Sequence, residues 1–264
     1  MKPQAQRPDV EPKITLVGAG PGDPDLISVK GIRVLKEANV VLYDALVDEQ
    51  LLHYAPSEAI KVYVGNPSGD ENFSQDTINR LMVDYALNFG HVVRLKGGDL
   101  FVFGHGHEEL DFAASYSIET AIVPGISSAI SVPGLQGIPV THRGTSDSLW
   151  ILSAIGSDGK LSMELGHAAR SQATVVVLLG YPHLAAIVEV FQQQGKGSLP
   201  VAIIQNGSMP HERVAIGLVN TIEEVALEKE IDNTGPVLLV FGKAVALHDE
   251  FQKIRRFFEC PDFL

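Results

Sequence analysis

The residues with chemistry to offer gather at the ends of short β-rich runs. Ile14-Thr-Leu-Val-Gly-Ala-Gly-Pro-Gly-Asp23 puts glycines straight after such a run. Without a Cβ in the way, a ligand can approach that backbone closely. Arg94-Leu-Lys-Gly-Gly-Asp-Leu-Phe-Val-Phe-Gly104 repeats the arrangement, adding a carboxylate at Asp99 and an apolar wall from Phe101 and Phe103. This suits a ligand with a sugar hydroxyl or amine near Asp99 and a flat ring against a phenyl face. Val123-Pro-Gly-Ile-Ser-Ser-Ala129 offers Ser127 and Ser128 as helix caps or ligand donors, and Gln136-Gly-Ile-Pro-Val-Thr-His-Arg143 ends in a basic pair. Asp44 follows Val40-Val-Leu-Tyr43, a place that becomes the active edge when such a strand joins an open α/β sheet. Each pattern taken singly also reads as an ordinary strand-to-helix turn, with Asp99 as a cap.

Two familiar chemistries fit these residues poorly. The dinucleotide fingerprint needs glycine where the chain has Asp23, and Pro21 fixes φ and removes a donor inside the loop. His105-x-His107, beside Glu108 and Glu109, supplies metal-type side chains but no nearby cysteine and no third ligand fixed by spacing, so no metal is expected.

The elements that must position these residues alternate. Strands are expected at 14–17, 40–43, 60–64 and 91–95, with helices near 28–38 and 106–116. Between them Ser74 caps a helix whose apolar residues Ile78, Leu81, Met82, Tyr85, Ala86 and Phe89 share one face, and Gly90 stops it. Such alternation implies a mostly parallel sheet covered by helices. A Gly/Pro-punctuated stretch from Val132 to Gly144 breaks the rhythm. Beyond it come strand candidates at 149–154, 174–179, 200–205, 212–218 and 236–241, and helices near 162–170, 183–194 and 221–229. The tight spacing around Asn206–Glu212 suggests a hairpin and so a mixed second sheet. The chain therefore reads as two α/β domains with a cleft between them. The expected bounds are a tail at 1–13, a domain at 14–135, a linker at 136–144, a second domain at 145–248 and a tail at 249–264 packed through Phe257 and Phe258.

Composition narrows the partners. The 264 residues carry a formal net charge of -12, with no basic cluster of the kind that binds nucleic acid. An anionic small molecule remains compatible, because a local basic pocket overrides the global field. The lone cysteine, Cys260, points to a reducing compartment. The first dozen residues are polar and Pro-rich, unlike a secretory signal, and the longest apolar runs, such as Val175 to Leu179, are strand-sized. A cytoplasmic protein without a membrane partner is expected.

Taken together, in their order and spacing, the loops resemble the tetrapyrrole methylase family. The carrying segments are Val17 to Leu26, Val40 to Asp44, Arg94 to Asp99, Val123 to Ile126 and Gly137 to Arg143, with a weaker match at Ile203 to Ser208. The resemblance spans roughly residues 13–245. It implies two α/β domains, a homodimer, and S-adenosylmethionine held between the domains and released as S-adenosylhomocysteine. Among the family it points to methylation of uroporphyrinogen III at C2 and then C7, giving precorrin-2 for sirohaem and cobalamin. The alternatives are the same fold acting on a later precorrin, or a weakened relative that binds without turnover.

Carried over by motif, the cofactor positions are Pro21, Gly97, Gly98, Asp99, Val102, Ser127, Ser128, Leu179 and Gly207. Leu179 stands where the family usually has methionine. Asp44 matches a proton acceptor, and Glu108, Arg143 and His105 match positions that handle the substrate. Three positions depart from the family: Asn66 replaces a lysine, and Ala45 and His105 replace arginines. His105, His107 and His142 would restore positive charge when protonated.

Methyl transfer from a sulfonium to an electron-rich pyrrole carbon needs alignment and desolvation more than acid–base power. Positioning supplies about 7–11 kcal/mol when reacting atoms are held near-attack. Loops of glycine and small residues, rather than a catalytic triad, are what that chemistry asks for.

Overall fold

Runs of β-branched residues form the strands, and their alternation decides which side chains face which layer. The computed structural model describes residues 10–65, 74–156 and 158–258. They fall into two compact units that divide between Ser127 and Ser128.

In the first unit β1 (Lys13–Gly18), β2 (Val40–Tyr43), β3 (Ile60–Tyr63), β4 (His91–Lys96) and β5 (Glu119–Val123) form one sheet in the order β3-β2-β4-β1-β5. Every pairing in it is parallel. On one face α1 (Val29–Leu35) and the 3₁₀ segment Glu49–Tyr54 bury Leu35, Leu51 and Leu52 against Val17, Val41, Val93 and Leu95. On the other, α2 (Gln75–Phe89) and α3 (Gly106–Ser115) bury Ile78, Met82, Val83 and Ala113 against Ile14, Leu16, Val40 and Val92. The Ser74 hydroxyl accepts from the Thr77 amide at the start of α2, and Gly90 ends the helix at φ 96°.

Order and connections locate the working edge. From β1 the chain moves by way of α1 toward β2, and from β4 it moves by way of α3 toward β5, on the opposite side. The carboxyl ends of β1 and β4 are adjacent and their connections diverge, which is where open α/β sheets bind ligands.

The second unit has β6 (Leu149–Ser153), β7 (Thr174–Leu178), β8 (Pro200–Gln205), β9 (Arg213–Leu218) and β10 (Val237–Phe241), in the order β6-β7-β10-β8-β9. Only β6 and β7 pair in parallel, so the sheet is mixed, and β8 and β9 form the expected hairpin. Helices α5 (Glu164–Arg170), α6 (Leu184–Gln193) and α7 (Ile222–Glu228) cover one face, where Phe191 stacks on Phe241 with ring centroids 4.2 Å apart.

The other face belongs to two further helices. α4 (Ser128–Leu135) contributes Ala129 and Val132, and α8 (Asp249–Phe258) contributes Phe251, to a core with Val176, Ala202, Ile204 and Val240. The first domain was expected to run to residue 135; α4 instead packs into the second unit's core. A helix also begins where a C-terminal tail was expected, at Asp249. The packing expected of Phe257 and Phe258 lies outside the described side chains, and Asn66 and Cys260 lie outside the described residues.

Candidate active site

Three loops meet at the carboxyl edge of the first sheet, and glycines let them. Beyond β1, the Ala19 amide donates to the Lys96 carbonyl at 2.7 Å. Gly20 and Gly98 then exchange bonds, the Gly98 amide donating to the Gly20 carbonyl at 2.6 Å and the Gly20 amide to the Gly98 carbonyl at 3.3 Å. The loop after β5 closes on both: a Cβ on Gly125 would sit 2.2 Å from the Gly98 carbonyl oxygen and 2.6 Å from the Gly18 Cα. On Gly97, a Cβ would meet that of Leu46 at 2.5 Å. Gly98 is different. Its φ is +70°, and nothing lies within 4 Å of where its Cβ would be, so this backbone borders open space. A cradle of main-chain groups with one uncovered glycine is suited to a flat or extended ligand pressed against the backbone.

Pro21 is half-buried in this loop, and Gly22 is buried. Asp23 caps a 3₁₀ turn, Pro24–Leu26, by accepting from the Asp25 amide at 2.9 Å. The helix proper begins only at Val29, capped by Ser28. The loop after β1 therefore does not run straight into a helix N-terminus, as the pyrophosphate seat of a dinucleotide site would.

Asp44 stands beside the cradle. Its Oδ1 accepts from the amides of Leu46 and Gly97, both at 3.2 Å, and its Oδ2 lies 3.6 Å from an Arg94 guanidinium nitrogen. Asp99 uses one oxygen, Oδ1, to accept from the amides of Phe101 at 2.9 Å and Val102 at 3.1 Å, which is the turn-capping role. The turn leaves Phe101 and Phe103 exposed, with Phe103 in the left-handed region at φ 58° and Val102 half-buried.

His105 has φ 54° at the start of α3, and its Nδ1 pairs with Glu108 Oε1 at 2.9 Å. Two residues expected to handle substrate therefore hold one another, both exposed. His107 pairs with Asp111 at 3.6 Å. Among the described residues no three or more His, Cys, Asp or Glu side chains are grouped as metal ligands would be.

The remaining expected positions are Ser127 and residues of the second unit. Ser127 is the last residue of the first unit, and Ser128 opens α4. Arg143 and His142 lie exposed in a turn that His142 closes onto Thr145 and Ser146. Leu179 follows β7 at φ 56° and is 69% exposed, an apolar side chain held out of the core on a strained backbone. Gly207 sits in the β8–β9 hairpin between Asn206 and Ser208, both at positive φ, and a Cβ there would lie 2.3 Å from Val132 Cγ1 of α4.

What the sequence reading passed over lies under the cradle. Arg94 and Lys96, two apart on β4, share the face that α2 and α3 cover, and both are buried. They converge on Glu109 of α3, itself 0% exposed, with Lys96 Nζ 2.8 Å and Arg94 Nε 3.2 Å from Oε1. Gln75 of α2 donates to the same oxygen at 3.2 Å and to Asn79 Oδ1 at 2.9 Å. Burial, and then the charge of Arg94, push the Lys96 ammonium below its ordinary pKa, while Glu109 opposes them. Breaking a buried pair of this kind costs about 3–5 kcal/mol, because the remaining charge is stranded. Two cations alternating along an otherwise apolar strand were the available signal.

Residues 13–223 match the model of the Tetrapyrrole (Corrin/Porphyrin) Methylases. The chain belongs to the tetrapyrrole methylase family. This methylase is 41% identical over 239 residues to the uroporphyrinogen-III C-methyltransferase of Methanocaldococcus jannaschii, covering 90% of this chain and 98% of that one. It is 40% identical to the siroheme synthase of Actinobacillus pleuropneumoniae serotype 7, but spans only 48% of that longer protein. Among solved structures, the uroporphyrin-III C-methyl transferase of Thermus thermophilus complexed with S-adenyl homocysteine superposes with a TM-score of 0.74 at 36% identity, covering 89% of this methylase and 99% of its counterpart. Among the described residues no helix of the methylase is long and apolar enough to cross a membrane.

Proposed function

We propose that this methylase transfers methyl groups from S-adenosylmethionine to C2 and then C7 of uroporphyrinogen III, giving precorrin-2. The observation that carries the reading is the backbone cradle at Gly20, Gly98 and Gly125, with the Asp44 carboxylate tied to it through the Gly97 amide. The near-full-length likeness to uroporphyrinogen-III C-methyltransferases supports the substrate.

The donor suits the residues present: Gly98 leaves uncovered backbone, and Phe101, Phe103 and Leu179 are apolar surfaces exposed on loops. The donor positions carried over by motif are Pro21, Gly97, Gly98, Asp99, Val102, Ser127, Ser128, Leu179 and Gly207. When bound, S-adenosylmethionine supplies a methyl group already activated by the sulfonium charge.

The chain's own work is alignment. The cradle fixes a ligand against rigid main chain, so little freedom remains to be lost in the transition state. Asp44, restrained by two amides, either accepts the proton displaced by methylation or stabilises positive charge on the pyrrole nitrogen. Arg143, with His105 and His142, would grip substrate carboxylates, and Glu108 would orient His105. The enzyme is proposed to act in the cytoplasm, as a homodimer.

The test is direct. Incubated with labelled S-adenosylmethionine and uroporphyrinogen III, the protein should yield a product carrying one and then two added methyls. Label transferred only to a later precorrin would reassign the substrate, and donor binding without transfer would make the protein a binding relative.

A further inference from the structure

Glu109 is bonded in a lopsided way. Lys96, Arg94 and Gln75 all donate to its Oε1, while its Oε2, also buried, has no hydrogen-bond partner among the described residues. A buried cluster of this kind does little for net stability compared with apolar side chains of the same volume. It does fix the direction of a guanidinium. Arg94 spends Nε on Glu109 and one terminal nitrogen on the Leu95 carbonyl at 3.1 Å, and that leaves the other terminal nitrogen 3.6 Å from Asp44 Oδ2. Asp44 Oδ1 is meanwhile held by the amide of Gly97, the residue immediately after β4. Asp44 is thus steered from β4 and the residue after it: the Gly97 amide spans both carboxylate oxygens, at 3.2 and 3.4 Å, and Arg94 faces Oδ2.

We infer that Glu109 and Arg94 are positioning residues for Asp44. Glu109 orients Arg94, and Arg94 together with the Gly97 amide sets the direction in which the Asp44 carboxylate meets the acceptor. The inference rests on the reading of Asp44 as the group that handles the acceptor's proton or charge. Lys96 balances Glu109 and keeps the interior neutral, so the guanidinium remains free to serve two carboxylates at once. A lysine in place of Arg94 would keep the charge but not the fork, since one ammonium at that reach cannot hold Glu109 and Asp44 together.

The test is a double-mutant cycle in the full-length protein, read as kcat, as KM for uroporphyrinogen III and as calorimetric Kd for S-adenosylhomocysteine. Arg94→Lys should lower kcat roughly tenfold to a hundredfold, the scale of a misplaced catalytic group, while KM and Kd stay within about twofold. Glu109→Gln, near-isosteric, should do the same and serves as the second variant if Arg94→Lys melts early. In an Asp44→Asn background, Arg94→Lys should add almost nothing, because it acts through the missing carboxylate. Losses that multiply in the double variant would overturn the inference, as would a Kd that weakens in step with kcat. Should Asp44→Asn alone leave kcat intact, the reading of Asp44 falls and takes this inference with it; multiplied losses with a slow Asp44→Asn would sink the inference alone.

Discussion

Gly18 and Gly125 meet backbone to backbone: a Cβ placed on Gly18 would lie 2.4 Å from the Gly125 Cα. One belongs to the end of β1 and the other to the loop after β5, and Gly98 of the β4 loop closes against them. The contact packs the three loops directly against one another.

Gly125→Ala should therefore damage binding by moving its neighbours. The added methyl would fall 2.2 Å from the Gly98 carbonyl oxygen, where only backbone can yield. We expect S-adenosylhomocysteine affinity, measured by calorimetry, to fall at least tenfold, and the midpoint of thermal unfolding to drop by several degrees, the scale of about 1–3 kcal/mol for overpacking. Gly134→Ala in α4 is the control. Nothing lies within 4 Å of its Cβ position, so affinity should not change.

Asp44→Asn should separate chemistry from donor binding. Turnover should fall by about 10²–10⁴-fold, the range for a lost proton-transfer group, with donor affinity little changed. An equal loss in both would make Asp44 a structural brace for the Gly97 loop.

Much of the fold around the cradle is legible in the sequence. The Ser74 cap and Gly90 stop of α2 follow from local rules, and the loops carry their glycines in sequence. Other parts depend on contacts no local pattern announces. β5 escaped notice because it is an edge strand in which most side chains are exposed. The residues of α4 were expected to close the first domain, and Pro133 and Gly134 look like breakers. Burial of Val132 and Pro133 beside β7 and β10 of the second core holds that helix. α8 is likewise pinned by the non-local burial of Phe251. The pairing of Arg94 and Lys96 with Glu109 needs α3 to cross β4, which spacing alone does not reveal.

Leu179 should trade stability against function. Its φ of 56° strains a residue with a Cβ, so Leu179→Gly relieves a cost of about 1–2 kcal/mol and should raise the unfolding midpoint. If the exposed leucine touches the donor, the same variant weakens S-adenosylhomocysteine binding, and Leu179→Met restores it. A variant neither more stable nor weaker in binding would remove Leu179 from the site.

His91 makes stability depend on pH. Its Nδ1 lies 3.1 Å from the Glu37 carbonyl, which can only accept, and its Nε2 lies 2.8 Å from the Thr15 hydroxyl. Burial of the ring is the main cause that lowers its pKa, and the nearby charge of Lys13 adds to it. The unfolded chain, at about 6.5, then binds the proton more readily. The stabilisation is fully present above that value and is lost as pH falls through the lower folded one. Thermal unfolding at pH 8 and pH 5.5 should show a larger drop for the wild type than for His91→Gln; equal drops would count against it.

The most direct measurement is a calorimetric titration of the folded protein with S-adenosylhomocysteine. The account predicts a saturable heat with one site per chain, strongly weakened in Gly125→Ala and retained in Gly134→Ala. Absence of any heat from wild-type protein that still melts cooperatively would contradict it.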